Sequence, residues 1–119
     1  AIQFAAKHKL SNVTVIIDHN ELQAMDFLKN VLTGEERRND LQRKMKAFGF
    51  EVKTCNGHNM KSIISIIEKW IKNQKNLFVP QVLIANTTKG YGLKCMENVP
   101  KFHFRIPTED EIKMGNRYE

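Results

Sequence analysis

Three short segments, at residues 13–17, 50–54 and 82–85, have apolar patterns that are typical of β-strands. The first consists entirely of β-branched residues, which is the pattern of a strand buried on both faces of a sheet. The second alternates apolar and polar residues, and the third is again a nearly continuous apolar run. We therefore predict three strands, with a loop over residues 18–33, where no periodicity is sustained.

The segment between the first two strands has helical spacing. Over residues 35–48, the apolar side chains of Leu41, Met45 and Phe48 recur at positions i, i+4 and i+7. Gly49 stands just beyond them, where a glycine commonly ends a helix. The pattern predicts an amphipathic helix.

Three further segments carry helix signals. Residues 59–75 hold a wide apolar stripe behind Asn59, whose side chain can cap the first turn of a helix. Residues 108–111 have the pattern of a capping box, which predicts a short terminal helix. Residues 1–9 have a helical composition but no capping residue before them, so we expect an upstream segment.

This alternation of strands and helices predicts an α/β fold, in which flanking helices connect the strands of a parallel sheet by right-handed crossovers. The 119 residues are 41% hydrophobic and 27% charged, which is an ordinary globular balance. Since no internal boundary or repeat is visible, we expect residues 1–119 to form a single partial domain.

Charge and cysteine content narrow the choice of partner and compartment. The net charge is +6, but the basic residues are mixed with acidic ones and no aromatics interleave with them, so we expect no nucleic-acid partner. No apolar run approaches the ~20 residues of a membrane span. Cys55 and Cys95 lie outside any C-x-x-C motif, which predicts free thiols in a reducing compartment such as the cytoplasm.

Polar groups follow two of the predicted strands, at the sheet edge where parallel α/β folds bind ligands. The side-chain oxygen of Asn20 and the backbone carbonyl of Leu22 are the hard ligands that Mg²⁺ prefers. The alternative is that Asp18 and Asn20 only make the hydrogen bonds of a turn. Residues 89–92, after the third strand, could hold a phosphate with backbone N–H groups, although they lack the spacing of a P-loop.

His103 is a second candidate, because it lies in an irregular segment between Phe102 and Phe104. A histidine between aromatics is either a packed structural residue or a group that binds anions or transfers protons. The residues alone leave both interpretations open.

Several segments, in this order and at this spacing, resemble the transketolases, and most closely the N-terminal subunits of bacterial transketolases that are split into two chains. The first of them contains Asp18-His19-Asn20, which is similar to the end of the family's thiamine-diphosphate motif. The resembling segments are residues 5–23, 46–52, 56–59, 85–92, 96–98 and 102–103. The resemblance covers nearly the whole chain up to about Pro107.

The resemblance implies an enzyme that moves a two-carbon ketol unit between sugar phosphates with Mg²⁺ and thiamine diphosphate. Asn20 would ligate the metal through its side chain, and Leu22 through its backbone carbonyl. Ile17 would pack near the thiazolium ring. His103 would be the catalytic histidine near the diphosphate and the reacting centre.

The resemblance also implies that the site is incomplete in this chain, since the family's glycine-aspartate-glycine half-motif, with its aspartate ligand, would lie upstream of Ala1. A second transketolase subunit or a pyrimidine-binding domain would supply the glutamate that activates the cofactor, in a homo- or hetero-oligomer. His19 stands where the family usually has asparagine or aspartate, and Phe104 replaces the usual glycine. We expect residues 1–119 alone to be inactive.

Two alternatives remain at this point. One is a fragment of another thiamine-diphosphate enzyme, of the deoxyxylulose-phosphate synthase or oxo-acid dehydrogenase type. The segment from Met96 to Asn98, followed by His103, favours a transketolase. The other alternative is a small α/β interaction module without a catalytic role.

Overall fold

A computed structural model describes residues 1–24, 26–33 and 40–115 of the chain. Four α-helices and three strands make up the regular structure of this part. The helices are α1 (Ile2–Lys7), α2 (Asp40–Ala47), α3 (Met60–Lys72) and α4 (Glu109–Gly115), and the strands are β1 (Thr14–His19), β2 (Glu51–Asn56) and β3 (Gln81–Asn86). Each of them overlaps a predicted element, although the predicted start of the second helix, residues 35–39, lies outside the described residues.

The strands form one sheet in the order β1-β3-β2, and both pairings are parallel. The predicted α/β class, a parallel sheet with flanking helices, is therefore confirmed. The register aligns the last residues of the three strands, so that His19 and Asn56 each pair with Asn86. All three carboxyl ends consequently meet at one edge of the sheet.

β3 is the central strand, and its first five residues are buried. Continuous burial explains why this run is almost entirely apolar, since neither face of the strand meets water. β1 is different, and the prediction that both of its faces are buried was wrong. It pairs only with β3 in the described chain, its residues alternate between exposed and half-buried, and Ile16 is 58% exposed.

One face of the sheet carries the main apolar core. Strand side chains alternate between faces, so Val52 of β2 joins Val82 and Ile84 of β3 on this side. These three residues pack with Ala5 of α1 and Met45 of α2 in a buried cluster. The apolar spacing that predicted α2 thus reports a real buried stripe, although Phe48, beyond its end, is 41% exposed.

α3 lies on the opposite face. Its N-terminus is capped as predicted, because the Asn59 side chain accepts a hydrogen bond from the Ser62 N–H at 3.1 Å. Trp70 is buried, and its Nε1–H donates to a Glu51 carboxylate oxygen at 3.0 Å. Between α3 and the exposed side of Ile16 runs a groove of about 340 Å³.

The chain divides into two compact units, and the sheet with α1 to α3 belongs to the first, Ala1–His19 with Arg37–Asn86. The second comprises Asn20–Glu36 and Thr87–Glu119. Its described part contains a π-helical turn (Lys29–Thr33), a 3-10 turn (Pro100–His103) and α4. Within the described residues, no helix has the length and apolar character needed to cross a membrane.

The predicted capping box at the start of α4 is confirmed. The Glu111 N–H donates to the Thr108 hydroxyl at 3.3 Å, and the Thr108 N–H donates to the Glu111 carboxylate at 2.9 Å. Arg105 adds two hydrogen bonds to the same carboxylate, at 2.8 and 2.6 Å. This bidentate pairing with Arg105 lowers the pKa of Glu111 to about 2, so the ion pair remains charged at neutral pH.

Candidate metal and cofactor site

Asn20 follows the last residue of β1 directly. Its side-chain oxygen accepts a hydrogen bond from the Leu22 N–H at 2.9 Å, across Glu21, which has a positive φ of 60°. The turn interpretation of Asn20 is therefore correct. An amide oxygen has two lone pairs, so this hydrogen bond leaves the metal interpretation chemically compatible with the turn.

The pairing of Leu22 with Phe27 determines the direction in which the Leu22 backbone faces. These two residues form an isolated antiparallel bridge. The hydrogen bonds that flank it run from the Gln23 N–H to the Asp26 carbonyl at 2.9 Å, and from the Leu28 N–H to the Glu21 carbonyl at 2.8 Å. In such a non-hydrogen-bonded pair, the N–H and C=O groups of Leu22 both face away from Phe27. The Leu22 carbonyl thus lies on the side of the bridge where its N–H meets the Asn20 oxygen.

This arrangement fits a hard divalent cation. It offers two neutral oxygens, one from the Asn20 side chain and one from the Leu22 backbone, on the same side of a short turn. Mg²⁺ takes six oxygen ligands and typically retains waters and phosphate oxygens, so two protein oxygens are a partial ligand set. Within residues 1–24, 26–33 and 40–115, no group of three or more His, Cys, Asp or Glu side chains is placed to hold a metal.

Asp26 braces the loop that carries these oxygens. Its carboxylate accepts hydrogen bonds from the Asn30 side chain at 3.0 Å and from the Phe27 N–H at 2.6 Å. These bonds, the one from Asn30 foremost, lower the pKa of Asp26. The carboxylate therefore stays ionised, and it holds the loop to the start of the π-helical turn.

His103 is exposed, at the end of the 3-10 turn. The Phe104 ring meets it edge-on, with ring centroids 5.0 Å apart. Phe102 is buried, and it carries the cations of Lys101 and Arg105 at 5.2 and 4.6 Å from its ring centroid. The exposure of the imidazole does not fit a packed structural role. Lys101 and Arg105 both pair with the Glu111 carboxylate, at 3.7 and 2.6 Å, so an anionic ligand at His103 stays a prediction.

The possibility that residues 89–92 hold a phosphate with their backbone N–H groups is not supported by the hydrogen bonds of this loop. The Gly92 N–H donates to the Glu97 carboxylate at 3.2 Å, and the Tyr91 N–H donates to the Thr88 carbonyl at 3.1 Å. Two of the donors that would line the nest therefore bond within the loop, and the Glu97 charge would repel a phosphate. Gly90, with φ 76°, lies so close to Met96 that a Cβ there would come within 2.6 Å of it.

Ile17 is half-buried on β1 and packs against the apolar core cluster of the first unit. Its side chain thus has a structural role in the sheet. Contact between Ile17 and a thiazolium ring stays a prediction.

The polar strand ends contain a pair that the sequence did not suggest. His19 Nδ1 lies 3.0 Å from Asn86 Oδ1. The signal that could have revealed the pair is register, since parallel strands of equal length end in the same row and both strands end in a polar residue. The register between two strands cannot be predicted from the sequence until it is known which strands are neighbours in the sheet.

An open parallel sheet with polar groups at the carboxyl ends of its strands defines a class, the α/β domains that bind ligands at that edge. Comparison with known proteins identifies the family within this class. The family model for the transketolase, thiamine diphosphate binding domain matches residues 1–118. The chain belongs to this family.

Curated relatives agree with this assignment. The chain is 38% identical, over 111 residues, to a subunit of an apulose-4-phosphate transketolase from Actinobacillus succinogenes. It is 28% identical, over 113 residues, to the 6-deoxy-6-sulfo-D-fructose transketolase subunit SqwG of a Clostridium species. The match to the first relative covers 93% of this chain and 37% of that protein. The match to the second covers 95% of this chain and 38% of that protein. The chain thus spans little more than a third of the length of these relatives.

Solved structures show the same fold. The transketolase of Campylobacter jejuni superposes with a TM-score of 0.69 at 27% identity, over 84% of this chain and 14% of that protein. A variant of the Pichia stipitis transketolase reaches a TM-score of 0.77 over 94% of this chain and 16% of that protein. At 19% identity, the second likeness speaks for the fold alone.

Proposed function

We propose that residues 1–119 are a single partial domain, the C-terminal portion of the thiamine-diphosphate-binding domain of a transketolase-type enzyme. The enzyme would transfer a two-carbon ketol unit between sugar phosphates. The family match and the transketolase subunits among the relatives support the reaction class. The observation that carries the proposal is the pair of oxygens from Asn20 and Leu22, on one side of a turn that directly follows a parallel strand.

In this proposal Mg²⁺ is held by the Asn20 side-chain oxygen and the Leu22 carbonyl. The hydrogen bond between these two residues at 2.9 Å fixes the turn, so both oxygens are preorganised before a metal arrives. Asp26 stabilises the same loop through its bonds to Asn30 and Phe27. A preorganised pair of ligands lowers the entropy cost of binding.

His103 would act next to the diphosphate and the reacting centre, where it would neutralise charge or hold a proton. Its exposure at the end of the 3-10 turn supports access to a ligand. Ile17 would contribute apolar contact near the thiazolium ring. Thiamine diphosphate, when bound, supplies the nucleophilic carbon that accepts the ketol unit.

The complete site requires a partner. Several relatives are named as individual subunits of transketolases, which supports assembly with a second transketolase subunit or a pyrimidine-binding domain, in a homo- or hetero-oligomer. Sugar phosphates would be the substrates. The free thiols of Cys55 and Cys95 accord with a cytoplasmic enzyme.

The family assignment also bears on the alternatives. The relatives and structures described above are transketolases, which favours this class over a deoxyxylulose-phosphate synthase or an oxo-acid dehydrogenase component. An interaction module without a cofactor has no comparable support.

A kinetic experiment tests the proposal. The full-length enzyme with its partner subunit should transfer a ketol unit from a ketose phosphate to an aldose phosphate only when Mg²⁺ and thiamine diphosphate are present. His103→Ala should lower kcat by roughly 10² or more, the usual contribution of a positioned proton-transfer group. His8→Ala is the matched control, since His8 is exposed and its ring contacts the Phe4 ring of α1, with centroids 4.2 Å apart. Equal rates in the two variants would remove His103 from the reaction.

A further inference from the structure

Two of the three points at which the chain passes from one compact unit to the other are neighbours in the sheet. One is the peptide bond from His19 to Asn20, and the other is the bond from Asn86 to Thr87. His19 and Asn86 are also the last register partners of β1 and β3. A side-chain hydrogen bond of 3.0 Å also joins them, in addition to the backbone pairing of their strands.

Of these two residues, Asn86 has the more firmly held backbone. It ends β3, the central strand, which is paired on both sides and whose preceding five residues are buried. Its backbone carbonyl also accepts a hydrogen bond of 2.7 Å from the Gly57 N–H, in the turn after β2. His19 ends β1, which is paired only with β3 in the described chain. The side-chain hydrogen bond therefore joins the end of β1, which is paired on one side, to the end of β3, which is paired on both sides.

The chemistry of the two side chains determines which atom carries the proton of this hydrogen bond. An amide oxygen can only accept a hydrogen bond, so the His19 Nδ1 must carry the proton that it donates to Asn86 Oδ1. An asparagine at position 19 would place its Nδ2 amide near the same point. The contact thus requires a donor at position 19 and an acceptor at position 86.

We propose that Asn86 is a positioning residue for the metal ligand, acting through His19. This inference rests on the proposed role of Asn20 as a ligand of Mg²⁺. Asn20 is one peptide bond beyond His19, and strand ends fray when nothing holds them. The His19–Asn86 bond restricts the backbone from which Asn20 projects, so that its oxygen is held ready for the metal.

The expected effect is modest because the pair is exposed. Loss of the bond should weaken Mg²⁺ binding about fivefold, which at 1.4 kcal/mol per tenfold corresponds to about 1 kcal/mol, the usual net value of one hydrogen bond. Because the bond also joins the ends of β1 and β3, the melting temperature should fall by about a few degrees at most.

The test measures Mg²⁺ affinity by calorimetry in the full-length enzyme with its partner subunit, saturated with thiamine diphosphate. Asn86→Ala and His19→Ala should each weaken binding about fivefold, and the double variant should be no weaker than either single variant. His19→Asn, which retains a donor, should restore the affinity. Asn56→Ala is the matched control, because Asn56 occupies the same row at the end of β2 and should leave the affinity unchanged.

Two outcomes would overturn the inference. One is unchanged Mg²⁺ affinity in Asn86→Ala, and the other is losses that add in the double variant, which would show that the residues act separately. Asn20→Ala is measured in parallel. If Asn20→Ala weakens binding while Asn86→Ala does not, the positioning role fails and the proposed metal site stands; if Asn20→Ala has no effect, the proposed site itself fails.

Discussion

Leu83 and Ile16 offer a direct test of how the sheet is covered. They are register partners on adjacent parallel strands, so their side chains share one face of the sheet. Leu83 is fully buried, whereas Ile16 is 58% exposed. The same substitution, to alanine, should therefore have very different costs at two neighbouring positions.

The magnitudes follow from burial. Leu83→Ala removes three buried carbons at ~0.8 kcal/mol each, and the cavity that remains adds to this, for a total loss of about 3 kcal/mol. Ile16→Ala removes carbons that are only about two-fifths buried and leaves no closed cavity, so its loss should be roughly 1 kcal/mol. Since complete domains are typically stable by only ~5–15 kcal/mol, losses of this size are large enough to measure by chemical unfolding.

Urea unfolding of the 119-residue chain, followed by tryptophan fluorescence, measures both losses. Trp70 is the single tryptophan and is buried against Glu51, so its emission should shift to the red when the chain unfolds. Measurements at several protein concentrations control for self-association. At low protein concentration, Ile16→Ala should lower the free energy of unfolding less than Leu83→Ala does. An equal loss would refute the conclusion that the face of β1 that carries Ile16 is exposed.

Three further predictions concern single loops and caps. Gly90→Ala should lower the melting temperature more than Gly92→Ala, because both residues have positive φ but only at Gly90 would a Cβ collide with neighbouring atoms; equal shifts would contradict this. Asn59→Ala should cost about 1 kcal/mol in urea unfolding through loss of the cap of α3, while Asn59→Asp, which retains an acceptor, should cost little. The Glu111 carboxyl should titrate by NMR with a pKa of about 2, and Arg105→Ala should raise this pKa towards 4.5. Because the folded pKa is lowered, the stabilisation from this ion pair is present above pH ~4.5 and is lost as the pH falls towards 2.

Much of the fold is predictable from local pattern. The apolar run of β3, the spacing of Leu41 and Met45 in α2, and the Asn59 cap of α3 each reflect a constraint within a few residues. A continuous apolar run indicates burial, but not which strand is central. For this reason the prediction failed at β1, which carries an apolar run like that of β3 and yet is paired on one side only in the described residues.

The candidate site was less accessible to sequence. Asn20 and Leu22 could be proposed as metal ligands from the chemistry of their oxygens. The direction of the Leu22 carbonyl depends on its bridge to Phe27, and the His19–Asn86 contact depends on strand register. Both are products of tertiary pairing between residues that the local pattern does not connect.

The possible phosphate site at residues 89–92 illustrates a related limit. Glycines and a lysine in a loop after a strand are compatible with anion binding. In the folded loop, however, the Gly92 N–H is taken by Glu97, a residue five positions later. Whether a loop N–H is free for a ligand depends on how the loop closes, and composition does not report this.

The central claim is that Asn20 belongs to a site for Mg²⁺ and thiamine diphosphate. Calorimetric titration of the cofactor with Mg²⁺ into the full-length enzyme, assembled with its partner subunit, tests this claim most directly. Asn20→Ala should weaken binding at least tenfold, or ~1.4 kcal/mol, because one of the two oxygens that this chain offers to the metal is lost. Asn12→Ala, in the exposed turn before β1, should bind as tightly as the unaltered enzyme. Unchanged affinity in Asn20→Ala would contradict the claim.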